Sequence, residues 1–159
     1  MVKRNGGYTL LELIAVMAII AILAMMAVPS YLNRVIRNQI TEALPLADIV
    51  KPPIAAAWAT EKSFPADNAG AGLPAADKIV NNLVSSIAVE GGAIHITFGN
   101  QANQFIKGKI LTLRPAVVED APIVPITWVC GQSAAPGNMT AKGNNKTDIP
   151  ASYLPVKCR

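Results

Sequence analysis

A single carboxylate lies inside a long apolar run of this sequence, where it needs a hydrogen-bond donor or a cation as partner. Glu12 is the only charged residue between Tyr8 and Val28. At about 1.5 Å per residue, a helix over this run reaches roughly 30 Å, enough to cross a bilayer core. A carboxylate in such surroundings is costly unless donors or a cation pair with it. The sequence therefore predicts a partner for Glu12.

The remaining reactive side chains form no catalytic group. His95 is the single histidine and alternates with apolar residues in a predicted strand, so we expect a solvent-side or packing role for it. No cluster of His, Cys and carboxylates has metal-ligand spacing, and no phosphate loop or nucleophile elbow occurs. We therefore expect a protein that is not an enzyme and holds neither metal nor cofactor.

Two cysteines, Cys130 and Cys158, stand far apart near the end of the chain. Their number and separation suit one disulfide in an exported domain, and the alternative is two unrelated buried thiols. Between them, residues 131–157 contain few apolar side chains and many Gly, Asn, Ala and Lys.

The apolar run differs from an ordinary export signal. A secretory signal has an apolar region of about 7–15 residues and a small-x-small cleavage site, whereas this run is longer and has no Ala-x-Ala at its end. A plain single-pass anchor fits the length. It gives no reason for Glu12 or for the Gly6-Gly7 pair that precedes the run.

The string GYTLLEL (Gly7–Leu13) follows a short basic stretch that contains Lys3 and Arg4. It resembles the class III signal of type IV pilins. The resemblance implies a leader, residues 1–7, that a prepilin peptidase removes after Gly7, and N-methylation of Tyr8. It also implies an inner-membrane precursor that the pilus assembly machinery extracts into a helical homo-oligomer, the extracellular pilus. The first position is more often Phe in the family, so Tyr8 is a mild departure.

The resemblance assigns an assembly role to Glu12, Tyr8 and Pro29. Cleavage after Gly7 creates an α-ammonium on Tyr8, and Glu12 lies one helical turn further on. In a bundle of staggered parallel helices, Glu12 can meet the ammonium of a neighbour and fix the register, as buried polar groups do in coiled coils. Pro29 matches a family proline where helix is lost in the filament, and the alternative is a kink at the membrane exit.

The resemblance and the apolar periodicity divide the chain into a leader, two helical regions and a head. Residues 8–28 form the transmembrane and filament-core helix, residues 29–60 an amphipathic kinked helix, and residues 61–159 the head. Prolines at 45, 52 and 53 allow one long helix to about Thr60 or two segments broken near Lys51. We expect the apolar side chains of this region to pack under a sheet, namely Ile49, Ile54, Ala57 and Trp58.

The head is predicted to be a meander. Residues 76–86 favour a short helix, and strands are predicted over 86–90, 93–99, 109–118 and 126–130, with Gly91-Gly92 as a hairpin turn. The fold class is therefore α+β, a long N-terminal helix packed on a four-stranded antiparallel sheet.

The end of the chain also resembles type IVa pilins, with a cysteine almost at the terminus. In that family the residues between the cysteines, here the loop 130–158, form a disulfide-closed segment exposed on the fibre. This resemblance favours the Cys130–Cys158 disulfide. The function implied is that of a structural pilus subunit serving adhesion, twitching motility or surface attachment.

Two other functions stay open at the level of sequence. A minor pilin that acts as a DNA-uptake receptor would need a basic track, and the candidate side chains are scattered: Lys107, Lys109, Arg114, Lys142, Lys146, Lys157 and Arg159. The net charge of +4 falls to 12 basic against 10 acidic side chains without Lys3 and Arg4, so DNA is weakly supported as a partner. A type II secretion pseudopilin typically lacks the disulfide and carries a calcium-binding cluster of acids.

Overall fold

The computed structural model describes residues 7–159, so residues 1–6 of the predicted leader lie outside the description. The helices are α1 (Leu10–Asp48) and α2 (Lys51–Glu61), and short 3-10 turns follow at Ala76–Lys78 and Val156–Cys158. The strands are β1 (Val84–Glu90), β2 (Ala93–Phe98), β3 (Ile110–Val117), β4 (Thr127–Cys130) and β5 (Thr140–Ala141). The chain divides into two compact units, residues 1–35 and 36–159, and each is described by itself.

The first unit consists mainly of an apolar helical stretch, and none of its described side chains in residues 7–35 is buried. Leu, Ile, Met and Ala dominate α1 here, and most of them favour helix. None of its most hydropathic stretch is buried, and its length and composition would allow it to cross a membrane. A core helix of a soluble protein would bury this surface. The helical backbone runs through Pro29 without interruption, and the loss of helix there in a filament stays a prediction.

The helical region breaks once, between Asp48 and Lys51. Pro52 and Pro53 lie in the first turn of α2, where the missing backbone N–H has no intrahelical partner to lose. Of the two alternatives for residues 29–60, the structure shows two segments, and Pro45 does not end α1.

A buried stripe along α1 and α2 forms one wall of the second unit's core. Its members are fully buried and recur every three or four residues, and the stripe continues across the helix break: Ile36, Ile40, Ala43, Ala47, Val50 and Ile54. Trp58 is also buried, as predicted. The prediction for Ile49 is wrong, since its side chain is 63% exposed. Side chains at successive helical positions point in directions about 100° apart. Val50 points into the core, and Ile49 therefore points outward.

The sheet forms the other wall, and the predicted meander is confirmed. β1 to β4 are antiparallel neighbours in chain order. Gly91 and Gly92 turn the first hairpin with φ of 55° and 82°, and two positive φ values are what a tight two-residue turn of this hand requires. Alternate residues of β2, namely Ile94, Ile96 and Phe98, are fully buried in the core shared with the helices.

A fifth strand, β5, was not predicted. Ala116 of β3 pairs with both Thr127 of β4 and Ala141 of β5, so β5 lies on the opposite side of β3 from β4. Pro115 precedes this pairing and accepts a hydrogen bond from the Lys142 backbone at 2.8 Å. The pairing of β2 with β3 ends at Leu113. Pro115 lies beyond that point, so its missing backbone N–H removes no hydrogen bond between β2 and β3.

The helix predicted over residues 76–86 is wrong. Only Ala76–Lys78 makes a helical turn, and β1 already begins at Val84. The side-chain oxygen of Asn81 accepts hydrogen bonds from the backbone N–H groups of Leu83 and Val84, both at 2.8 Å. An asparagine that takes up nearby backbone donors competes with helix. The apolar residues that suggested a helix are partly those of the strand.

The stripe yields a matched pair of substitutions. Ile40→Ala removes a fully buried side chain and should lower the free energy of unfolding by about 2–5 kcal/mol. Ile49→Ala makes the same chemical change at an exposed site and should stay within about 0.5 kcal/mol of the parent. Urea unfolding of the detergent-solubilised chain, followed by tryptophan fluorescence, measures both. Equal losses for the two variants would contradict the assignment of the buried face.

Candidate assembly site

The first described residues form an exposed, irregular segment ahead of the helix. Gly7, Tyr8 and Thr9 have no regular secondary structure, and α1 begins at Leu10. Tyr8 is 90% exposed, and a Cβ built on Gly7 would meet no atom of the described residues beyond its chain neighbours. Exposed segments without regular structure are preferred sites of proteolysis, and Gly7–Thr9 is such a segment.

Glu12 closes a reciprocal hydrogen-bonded box with Thr9. Its carboxylate Oε2 accepts from the backbone N–H and from the hydroxyl of Thr9, both at 3.0 Å. In return, the Glu12 backbone N–H donates to Thr9 Oγ1 at 3.2 Å. This is a capping box, which satisfies donors that a helix start leaves unpaired. Sequence reasoning missed Thr9, although the Thr-x-x-Glu spacing carries the signal.

The box satisfies only half of the Glu12 carboxylate. Both hydrogen bonds go to Oε2, and in residues 7–159 no donor bonds Oε1. The salt bridges of the same residues do not include Glu12 either. Exposed apolar side chains flank it at Leu11 and Leu13. The structure brings Tyr8 and Glu12 into one short segment and leaves a carboxylate oxygen there for another partner, while Pro29 lies further along the same helix.

The Cys130–Cys158 disulfide is confirmed and joins the end of β4 to the end of the chain. Both cysteines are buried. Gly131 follows with a φ of 60°, and a Cβ on it would meet the Cys158 carbonyl oxygen at 2.3 Å. The Gln132 backbone N–H donates to that same carbonyl at 3.1 Å. Only glycine allows the two ends of the closed segment to approach this closely.

The closed segment is also held to α1. The Arg37 guanidinium donates to the Ser152 carbonyl from Nε at 3.1 Å and from a terminal nitrogen at 2.7 Å. Phe105 stacks at a tilt on Tyr153, with 6.1 Å between the ring centroids. The two contacts join positions far apart in sequence, so no local pattern could have predicted them.

His95 is buried under the closed segment on the outer side of the sheet. It is 4% exposed, and its Nδ1 lies 3.0 Å from the Thr112 hydroxyl. That hydroxyl oxygen already accepts from the Lys146 backbone N–H at 3.0 Å, so its hydrogen is available to His95 Nδ1. The expected packing role of His95 is what the structure shows.

Two charged groups face His95. Glu90 Oε2 lies 4.0 Å from Nε2, and Lys146 forms a salt bridge with Glu90. Burial, and then the positive charge of Lys146, lower the pKa of His95, while Glu90 opposes them. His95 is therefore held as the neutral imidazole, and its contact with Glu90 is not an ion pair near neutral pH.

Comparison with known proteins gives two family matches. Residues 37–159 match the family described as Pilin (bacterial filament), and residues 2–28 match the prokaryotic N-terminal methylation motif. The type IV major pilin protein PilE of Neisseria gonorrhoeae is 33% identical, over 96% of this chain and 93% of its own length. A fimbrial protein of Neisseria meningitidis is also 33% identical, over 96% and 93%. The fimbrial protein EcpC of Eikenella corrodens is 34% identical, over 96% and 90%.

These matches define the class as bacterial filament proteins, since the pilin match covers more than half of the chain. The chain belongs to the pilin family. The methylation motif confirms the resemblance to type IV pilins that Gly7–Leu13 carries.

The disulfide should contribute substantially to the stability of the second unit. In the chain-entropy model, closing a loop of this length is worth roughly 3–4 kcal/mol. Urea unfolding and protease digestion of the full chain, with and without reductant, measure the loss. The control is a Cys130→Ala, Cys158→Ala double variant, on which reductant should have no effect. Equal resistance of the parent with and without reductant would contradict a stabilising bond.

His95 should make stability depend on pH. The folded-state pKa lies below the ordinary value of 6.5, so protonation favours the unfolded chain. The contribution is fully present above 6.5 and is lost as the pH falls from there towards the lowered pKa. Unfolding measured over about pH 5 to 8 should show this slope, and His95→Gln should remove it. The Glu90 carboxyl has its own pKa lowered from 4.5, so its titration falls below that window. A slope that persists in His95→Gln would assign it to other groups.

Proposed function

We propose that this pilin is the structural subunit of a type IV pilus, in which copies polymerise through their N-terminal helices. The observation that carries the proposal is the half-satisfied Glu12 carboxylate in an unburied apolar helix. A lone chain in water would expose this surface at a large cost. A membrane first and neighbouring helices afterwards provide surroundings in which it is buried.

Proteolytic processing is the first of the proposed steps. A prepilin peptidase removes the leader after Gly7, and the new amino terminus on Tyr8 is methylated. The exposed Gly7–Thr9 segment and the match to the methylation motif support this step. Cleavage frees an α-ammonium beside Thr9, at the end of the helix where Glu12 is held.

Assembly then pairs opposite charges between copies. Oε2 of Glu12 stays bonded to Thr9, which fixes the rotamer, and the free Oε1 accepts the Tyr8 ammonium of a neighbour. In the apolar centre of a helix bundle an unpaired charge is strongly unfavourable, so this contact selects one axial register. The apolar side chains adhere without direction and would by themselves allow many registers.

The proposed location follows from the same helix. The precursor resides in the inner membrane, and the assembled fibre lies outside the cell, where the disulfide-closed segment is displayed. The similar Neisseria proteins are named as major pilins and fimbrial proteins, which supports a main subunit serving adhesion, twitching motility or surface attachment. A disulfide suits this extracellular location.

No observation favours the DNA-receptor alternative. Two lysines of the candidate basic track form salt bridges, Lys142 with Glu119 and Lys146 with Glu90. Lys107 and Arg159 bond backbone carbonyls, those of Asn100 and Leu154. Side chains engaged in this way are less available to the phosphate groups of DNA. The pseudopilin alternative also lacks support, since the disulfide is present and residues 7–159 contain no cluster of acids suited to a metal.

Two substitutions separate the charge of Glu12 from its capping bonds. Glu12→Gln keeps the capping box, which accepts Gln in place of Glu, and removes the charge. Thr9→Val removes the hydroxyl and keeps the charge. We expect Glu12→Gln to be processed and inserted but to give at least about tenfold fewer fibres, the loss that removing about 1.4 kcal/mol produces. Thr9→Val should assemble at closer to the parent yield.

The experiment expresses each full chain in a piliated bacterium that lacks its own major pilin, and quantifies sheared fibres. Mass spectrometry of the fibre protein should find N-methyl-Tyr8 as the first residue, which tests processing independently. Normal fibre yields from Glu12→Gln would exclude charge pairing as the register device. A chain found only in membranes with its leader intact would exclude the filament function.

A further inference from the structure

An open groove lies beside β4, an edge strand of the sheet. It has a volume of about 390 Å³ and runs between the last turns of α1 and β4, with Leu44, Leu113 and Trp128 among its apolar walls. β4 pairs with β3 on one side, and no strand of residues 7–159 covers its other side. An apolar groove at a sheet edge is a natural place for a partner segment.

The groove carries a net positive charge. Lys51, Lys157 and Asp48 all line it. Lys51 bonds Asp48 at 2.6 Å and lies 5.7 Å from the centre of the Trp128 ring, so these two charges compensate each other. Lys157 takes part in no salt bridge of the described chain. The charge left for a partner is therefore that of Lys157, and the partner should be apolar with an acidic residue beside it.

The loop that joins β3 to β4, residues 118–126, has these properties. Ile123 is 92% exposed, the most exposed large apolar side chain of the second unit. Asp120 is exposed and, in the part of the chain that is described, has no salt-bridge partner. Glu119 is already bound to Lys142. The loop thus presents one apolar and one acidic side chain, three positions apart.

The loop is already shaped for presentation. The Ala121 N–H donates to the Val118 carbonyl at 3.1 Å, and the Val124 N–H donates to the Ala121 carbonyl at 3.0 Å. Two prolines, at 122 and 125, restrict it further. A segment that is ordered before binding loses less conformational entropy when it docks.

We propose that the β3–β4 loop of one copy docks into the groove of a neighbouring copy, with Ile123 against Trp128 and Leu44, and Asp120 beside Lys157. The inference rests on the proposed function, because the fibre supplies the neighbour. In the fibre, a loop of one copy that lies in the groove of the next copy makes a head-to-tail contact, and repeated head-to-tail contacts generate an open helical assembly. The contact would stabilise the fibre between heads, in addition to the helix bundle.

Single substitutions and a charge exchange test the contact in fibres of the full chain. Ile123→Ser removes an apolar side chain that solvent surrounds in the monomer, and Asp120→Lys places a positive charge opposite Lys157. Both should leave folding unchanged and weaken the contact about tenfold, so that fibres dissociate at a lower temperature or shear. The matched control is Val80→Ser, an exposed apolar residue outside both surfaces, which should behave as the parent.

The exchanged pair gives the sharper result. Lys157→Glu alone should weaken fibres, and Asp120→Lys combined with Lys157→Glu should restore them, because the ion pair is re-formed with reversed sign. The intact mass and the unfolding curve of each variant verify that the adjacent Cys130–Cys158 bond has formed. Should Lys157→Glu misfold, Ile123→Ser and Asp120→Lys decide by themselves.

The outcomes separate this inference from the proposed function. Fibres of Ile123→Ser and Asp120→Lys as stable as the parent's, or no rescue by a correctly folded exchanged pair, would overturn the docking contact and leave the pilus function intact. A parent chain that never enters fibres would overturn both. Weakened single variants with a normal Val80→Ser control and rescue by exchange would establish the contact.

Discussion

The need to satisfy one carboxylate in an apolar helix governs the amino-terminal unit of this protein. Thr9 provides two hydrogen bonds to one oxygen of Glu12 and thereby holds the side chain in place. Because the other oxygen has no donor in the described chain, burial of the helix is unfavourable until a cation arrives. A chain processed after Gly7 carries such a cation on Tyr8. Under the proposed function, the processing site and the assembly site therefore lie in one short segment, with Thr9 between them.

The second unit must stabilise a sheet on both faces, although residues 131–157 contain few apolar side chains. The α1–α2 stripe buries the inner face, with small alanines at 43 and 47 where helix and sheet meet. The outer face is covered by the disulfide-closed segment: Thr147 and Lys146 bond Thr112 of β3, above the buried His95. This segment is therefore a structural layer of the second unit. Ile149 and Leu154 of this segment are buried in the core, and Gly131 and the disulfide fix its two ends.

The two units would contribute different kinds of contact to a filament. Adhesion between apolar helices is strong but has little directional preference, so register must come from polar contacts. In the proposed filament Glu12 would provide one at the centre, and a contact between heads, such as the one inferred for Ile123 and Asp120, would provide another at the periphery. Two separate sets of contacts would restrict a subunit to one position and orientation more tightly than either set alone.

Local sequence determined the features that depend on near neighbours along the chain. These are the processing string, the apolar helix, the hairpin at Gly91-Gly92 and the alternation of β2, because periodicity and turn chemistry act over a few residues. Residues 76–86 were misjudged because strand pairing and the Asn81 side chain outweighed an apolar pattern that also suits a helix. Only the tertiary structure decided that Ile49 faces outward, that Arg37 holds Ser152, and that the closed segment buries His95. Each of those depends on which distant surfaces meet, and a linear pattern carries no information about that.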